Sequence, residues 1–148
     1  MHRNIANMVI EDDDNFMSVL QYALEYLNVS RIVLCGHYGC GGVQAAVALP
    51  NSSLAGENSP LARRITQLRS SLSDDLAAFH ADKDEESVRQ NRLVEANVIA
   101  QFSRLVATEA VRKAWQQGVE LDVYGCVYDL QSGHLTELIQ QSTEESSP

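Results

Sequence analysis

The most regular feature of the sequence is a short apolar run that ends in a glycine-rich turn. Residues 32–35 read Ile-Val-Leu-Cys, which is typical of a β-strand buried on both faces. Glycines crowd residues 36–42, and residues 43–47 then follow a helical pattern. The order of strand, turn and helix start places the turn at the carboxyl end of a strand, where open α/β sheets carry their sites.

Apolar residues recur at helical spacing in three other parts of the chain. The third part is long enough for two helices, with Thr108 capping the second and Gly118 ending it. The spacing predicts helices over residues 15–27, 61–80 and 87–117.

Two more strands are predicted near the end of the chain. Residues 121–128 are apolar and rich in β-branched and aromatic side chains, and a turn at Gly133 leads into residues 134–139. This hairpin predicts an antiparallel strand at the sheet edge. Residues 50–60 are expected to form a surface loop and residues 141–148 a polar tail.

The start of the chain is expected to be extended from about His2. Acidic residues 11–14 would then cap the helix over residues 15–27. Strand, helix and strand in succession imply a right-handed crossover and parallel pairing. We therefore predict an α/β fold: one domain over residues 1–148, with a mostly parallel sheet, flanking helices and an antiparallel C-terminal edge strand.

Composition limits the classes of function and the cellular compartment that we expect for this protein. The chain has 148 residues and a formal net charge of −9, which argues against a nucleic-acid partner. No apolar run approaches the ~20 residues that cross a membrane. No signal-peptide pattern is present, so we expect the cytoplasm and reduced thiols for Cys35, Cys40 and Cys126.

The glycine turn carries the candidate chemistry. His37 and Cys40 lie three residues apart in it, and zinc accepts both imidazole nitrogen and thiolate sulfur. Two ligands alone do not make a tetrahedral site, so a packed core cysteine beside a turn histidine is an open alternative. For the other candidate ligands we predict different roles. Cys35 and Cys126 are expected to be core thiols, and His80 and His134 are expected to be exposed.

Three segments resemble the β-class carbonic anhydrases. Residues 2–7 read His-Arg-Asn-Ile-Ala-Asn, and residues 35–42 read Cys-Gly-His-Tyr-Gly-Cys-Gly-Gly, which is similar to the second zinc motif of that family. Residues 124–128, followed by Gly133 and Leu135, resemble its terminal strand pair. The resemblance extends from His2 to Leu138 and implies reversible, zinc-dependent hydration of carbon dioxide to bicarbonate.

The resemblance also implies a set of site residues. His37 and Cys40 would be zinc ligands, and Gly41 and Gly42 would let backbone N–H groups approach the anion. Some bacterial members bind bicarbonate at a regulatory site, and Arg3 and Tyr128 match two of its positions. A structural hydrogen bond or ion pair is the alternative for that pair.

The sequence also departs from the family pattern. The other two zinc ligands of the family come from a Cys-x-Asp-x-Arg motif that precedes the segment at residues 2–7, and this sequence has no such motif. We expect a strand to be missing with this motif, which would leave sheet edges unpaired. We also expect that Cys35 cannot serve as a further zinc ligand, because its side chain would point into the core. We also expect a homo-oligomer, a dimer or tetramer, with impaired activity. The alternative is an inactive truncated homologue or a protein-interaction module.

Overall fold

A computed structural model describes residues 1–49 and 58–143 of the chain. Within them, helices flank one three-stranded sheet, so the predicted α/β class is confirmed. Residues 144–148 of the expected tail and most of the loop over residues 50–60 lie outside the described residues. The tail was expected to begin at residue 141, but Gln141 is the last residue of β3. The elements are a 3-10 turn at Ile5–Asn7, α1 at Asp14–Gln21 with a π-helical turn at Tyr22–Tyr26, β1 at Arg31–His37, α2 at Gly41–Ala48, α3 at Pro60–Ser71, α4 at Ser73–Ala81, α5 at Glu86–Ala107, α6 at Glu109–Gln116, β2 at Asp122–Tyr128 and β3 at Leu135–Gln141.

The sheet has the order β1-β2-β3 in the described part of the chain. β1 and β2 are parallel, in a register that runs from Arg31 opposite Asp122 to His37 opposite Tyr128. β3 is antiparallel to β2 and forms one edge, as predicted from the hairpin. The parallel part is therefore a single pair of strands, and β1 forms the other edge.

The expected extended strand near His2 is wrong. The chain turns there instead, with Ala6 and Asn7 at positive φ angles of 56° and 45°. The side chain of Asn4 accepts a hydrogen bond from the N–H of Met8 and donates one to its C=O, both at 2.8 Å. Because this side chain satisfies both backbone groups of Met8, the segment is held without a neighbouring strand.

Helix α5 lies unusually close to the sheet because glycines face it. A Cβ atom on Gly36 would come within 2.6 Å of a methyl carbon of Val98, and one on Gly125 within 3.3 Å of the same side chain. At Gly125 it would also come within 2.6 Å of Ile139. Any side chain at these positions would push the helix away from β1 and β2.

The expectation that β1 is buried on both faces is wrong. Leu34 points toward α5 and is 9% exposed, whereas its neighbour Val33 points the other way and is 53% exposed. Cys35 is exposed on that same open face, so its expected direction into the core is also wrong. Among the described residues, β1 packs mainly on α5, the 3-10 turn and β2, which leave this face uncovered. Cys126 is 4% exposed, in agreement with its prediction as a core thiol.

The helical predictions need one correction. The expected helix over residues 61–80 is two helices, because the chain breaks at Leu72, whose φ of −119° and ψ of 24° are not helical. The predicted division at Thr108 is confirmed: its hydroxyl accepts a hydrogen bond from the N–H of Val111 at the start of α6. Trp115 is buried and donates its indole N–H to the C=O of Leu121, which anchors α6 to the sheet.

Candidate metal centre

The glycine turn connects the end of β1 to the start of α2, as the sequence pattern predicted. His37 is the last residue of β1, Gly39 adopts a φ of 71°, and Cys40 is the N-cap of α2. Because Gly39 takes a left-handed conformation at no steric cost, the chain reverses within three residues. The turn thus presents an imidazole and a thiol from adjoining ends of a strand and a helix.

The imidazole of His37 is oriented by its own turn. It is half-buried, and its Nδ1 lies 2.9 Å from the backbone C=O of Tyr38. A carbonyl oxygen only accepts, so Nδ1–H is the donor and Nε2 carries the free lone pair of the neutral ring. Histidines that bind metals are commonly fixed in this way by a backbone carbonyl.

Cys40 is largely withdrawn from solvent at the start of α2. Its residue surface is 6% exposed, and no side-chain hydrogen bond caps the helix there. Both Cys40 and His37 line one groove of about 950 Å³. The two predicted donor residues therefore border the same space.

Tyr38 fixes the middle of the turn, a role that the sequence patterns did not reveal. Its hydroxyl donates a 2.6 Å hydrogen bond to the carboxylate of Glu95 on α5, and its N–H donates to the C=O of Tyr128. The bond to Glu95, followed by burial, raises the pKa of Tyr38 to about 12. The turn between the candidate ligands is thus tied to both α5 and the sheet.

Two buried amides hold the N-terminal turn beside the site. Asn97 donates to the C=O of Ala6 at 2.9 Å, and the Oε1 of Gln101 accepts from the N–H of Val9 at 2.8 Å. Gln101 also donates to Asn97 at 3.2 Å. The only sequence signal for this role is a pair of amides four residues apart on the apolar stripe of α5, which the predictions from the sequence did not include.

The two glycines at the start of α2 lie in different surroundings. A Cβ on Gly42 would come within 2.9 Å of Ile5 and 3.2 Å of Ala6, so this glycine lets the N-terminal turn pack on the helix. A Cβ on Gly41 would meet nothing within 4 Å. The space beside Gly41 is therefore open, and the expected approach of an anion to this helix start stays a prediction.

Arg3 and Tyr128, the candidate regulatory pair, both line the groove. Tyr128 lies directly opposite His37 in the sheet and is 37% exposed. In the described ranges no hydrogen bond joins Arg3 to Tyr128. The structure thus brings the two residues to one groove without a direct contact between them.

The donor set is half of what a tetrahedral zinc site needs. An oriented imidazole and a shielded thiol suit zinc, but residues 1–49 and 58–143 contain no group of three His, Cys, Asp or Glu side chains placed to hold a metal ion. The fold and the turn together define an α/β protein with a two-donor candidate metal site at the carboxyl end of a parallel strand.

Comparisons with known proteins show the family. The carbonic anhydrase family model matches residues 1–135. A carbonic anhydrase of Emericella nidulans is 38% identical over 138 residues, which cover 93% of this chain and 58% of that protein. A carbonic anhydrase of Pseudomonas aeruginosa is 33% identical over 119 residues, covering 80% of this chain and 51% of that protein.

Solved structures agree with this result. The β-carbonic anhydrase of Coccomyxa, in complex with acetazolamide, superposes with a TM-score of 0.85 at 30% identity, covering 95% of this chain and 61% of that one. A tetrameric β-carbonic anhydrase of Sordaria macrospora superposes with a TM-score of 0.80 at 32% identity, covering 95% and 68%. The chain belongs to the β-class carbonic anhydrase family.

The chain spans about six-tenths of the length of the Emericella nidulans and Coccomyxa relatives. In the described residues, no helix has the length and apolar character required to cross a membrane.

Proposed function

We propose that this chain supplies half of the zinc site of a β-class carbonic anhydrase. His37 and Cys40 are the two zinc ligands that it contributes, and the substrates of the complete site are carbon dioxide and bicarbonate. The observation that carries the proposal is that one glycine turn, in a member of this family, brings an oriented imidazole and a shielded thiol to the same groove.

His37 and Cys40 would hold zinc, which would supply a water of lowered pKa, ~7, for attack at neutral pH. The chain's own residues prepare the position. The C=O of Tyr38 holds His37 with Nε2 free, and Glu95 holds Tyr38. The uncrowded start of α2 at Gly41 offers backbone N–H groups to an anion.

Metal binding tests the ligand assignment without any need for turnover. Purified protein titrated with Co²⁺ should develop a thiolate-to-metal absorption band, since Cys40 supplies the sulfur. Cys40→Ser should abolish that band and His37→Ala should weaken binding at least tenfold. Cys35→Ser and His134→Ala are the matched controls, because both residues are exposed and neither is a proposed ligand, although Cys35 borders the groove. Equal binding by Cys40→Ser and the unsubstituted chain would refute the assignment.

Hydration activity of this chain alone should be low. Two protein donors leave the remaining zinc positions to water, which binds the ion weakly compared with four protein ligands. A stopped-flow pH-indicator assay on metal-loaded protein should therefore show a rate far below that of the Pseudomonas aeruginosa relative. A comparable rate would mean that further ligands are recruited. Low activity together with no metal binding would favour the alternative function, an inactive homologue or interaction module.

The assembly and the compartment are part of the same proposal. A homo-oligomer, dimer or tetramer, is supported by the tetrameric Sordaria macrospora relative. Free thiols at Cys35, Cys40 and Cys126 support a reducing, cytoplasmic location. Arg3 and Tyr128 are proposed as a secondary bicarbonate position, supported by their place on one groove. Light scattering coupled to size-exclusion chromatography measures the assembly; a monomer at all concentrations would contradict it.

A further inference from the structure

A carboxylate from a distant helix reaches the turn between the two candidate ligands. Glu95 lies on α5, and its half-buried carboxylate accepts a hydrogen bond of 2.6 Å from the hydroxyl of Tyr38. Within residues 1–49 and 58–143, this is the one side-chain hydrogen bond of Glu95, and Glu95 forms no ion pair there. Hydrogen bonds to a carboxylate are shorter and stronger than those between neutral groups, so Glu95 is a firm anchor for Tyr38.

The close packing of α5 on β1 brings this carboxylate within reach. Val98 lies three residues after Glu95 on α5, and a Cβ atom on Gly36 would come within 2.6 Å of a Val98 methyl carbon. Gly36 directly precedes His37 on β1. Because residues three apart on a helix are neighbours on its surface, the contact at Val98 also fixes how near Glu95 lies to the end of β1.

The backbone carbonyl of Tyr38 needs such an anchor. It lies 2.9 Å from Nδ1 of His37 and belongs to the peptide unit that Tyr38 shares with Gly39. Glycine restricts the rotation of that unit very little, so the direction of the carbonyl depends on how Tyr38 itself is held. Tyr38 is held at both ends: its N–H donates to the C=O of Tyr128 at 3.1 Å, and its hydroxyl donates to Glu95.

We propose that Glu95 is a positioning residue of the candidate metal centre and acts through Tyr38. By holding the hydroxyl of Tyr38, it keeps the carbonyl of Tyr38 in place for Nδ1–H of His37 and leaves Nε2 as the ligating nitrogen. The inference rests on the proposed function in one respect, that His37 is a zinc ligand. Removing a group that orients a metal-binding histidine typically lowers metal affinity about 10- to 100-fold.

The first measurement needs no metal. In the full chain labelled with nitrogen-15 at histidine, at a pH where the imidazole is neutral, the nuclear magnetic resonance spectrum should show the proton of His37 on Nδ1. Glu95→Ala should give a mixture of the two tautomers, because Nδ1–H loses its fixed acceptor. Glu86→Ala is the matched control, at an exposed glutamate of the same helix, and should leave the spectrum unchanged.

Further variants separate the hydrogen bond from the charge. Glu95→Gln retains an acceptor at the same distance and should keep the proton on Nδ1. Glu95→Asp keeps the charge on a side chain that is one carbon shorter, so it should behave like Glu95→Ala and replaces that variant if it does not fold. Tyr38→Phe should give the same mixture of tautomers, and combining it with Glu95→Ala should add nothing. Additive effects would overturn the route through Tyr38.

Titration with Co²⁺ then connects the orientation of His37 to metal binding. Glu95→Ala and Glu95→Asp should bind Co²⁺ at least about tenfold more weakly, whereas Glu95→Gln and Glu86→Ala should bind it as the unsubstituted chain does. An unchanged tautomer in Glu95→Ala, or a changed tautomer with unchanged Co²⁺ affinity, would overturn the role of Glu95 and leave the ligand assignment standing. Co²⁺ binding that is unaffected by His37→Ala would instead refute the ligand assignment.

Discussion

The two sides of β1 differ in how much of the strand the rest of the fold covers. Toward β2 and α5 the strand is closed: its backbone is paired, and Gly36 lets Val98 approach to the limit of contact. On the other side Val33 and Cys35 are exposed, and the backbone edge borders a large groove. Covered and uncovered residues thus alternate within a single strand.

The comparison separates the residues that stabilise the fold from the residues of the candidate site. The closed side contains the buried Asn97 and Gln101, which satisfy the backbone of the N-terminal turn. The candidate ligands His37 and Cys40 lie at the end of the strand where the closed side meets the groove. The fold therefore supports the site from one side and leaves it open on the other.

The largest effect should come from adjacent residues on opposite faces of β1. Leu34→Ala should destabilise the protein by about 2–5 kcal/mol, because it leaves a cavity under α5. Val33→Ala is the matched control and should cost less than about 1 kcal/mol, since that side chain is half exposed. Urea unfolding measures both. Similar losses would show that the open face of β1 is covered in solution.

The next effect concerns the buried amides. Gln101→Leu should cost about 1–3 kcal/mol, because the N–H of Val9 and the side chain of Asn97 lose their partner in the interior. Ser103→Ala, on an exposed face of the same helix, should change stability by no more than about 0.5 kcal/mol. Thermal unfolding provides the comparison. If Gln101→Leu were neutral, the N-terminal turn would not depend on the bond between Gln101 and Val9.

A smaller effect is expected at the turn itself. Tyr38→Phe removes the hydroxyl that donates to Glu95 and should cost about 1 kcal/mol. It should also weaken Co²⁺ binding, because the carbonyl that orients His37 belongs to Tyr38. Tyr26→Phe, at an exposed tyrosine, is the control. A loss of stability without any change in metal binding would limit Tyr38 to a structural role.

The smallest expected effect concerns the rates at which the three thiols react. Cys35 is exposed, whereas Cys40 and Cys126 are buried, so a disulfide reagent should modify Cys35 first. Partial burial raises the pKa of Cys35, so its rate should still be increasing at a pH at which an unperturbed thiol is already ionised. Mass spectrometry after peptide digestion identifies the site. Equally fast modification of Cys40 would mean that the glycine turn opens readily.

Local sequence predicted much of the framework and part of the site. The strand, turn and helix around His37 and Cys40, the cap at Thr108 and the antiparallel β3 all lie where the patterns indicated. Each is decided by neighbours within a few residues: glycine permits a turn, a hydroxyl caps a helix, and alternation indicates a strand. The errors at His2 and Cys35 arose where the outcome depended on distant parts of the chain.

By itself, then, the sequence determined most of the elements, the resemblance to the family and the two candidate ligands. Only the tertiary structure decided which face of β1 is covered, that Tyr38 reaches Glu95, that buried amides hold the N-terminal turn, and that arginines line a groove in an acidic protein. The physical reason is separation along the chain. Tyr38 and Glu95 are 57 residues apart, and Val9 and Gln101 are 92 apart, so no local periodicity records these contacts.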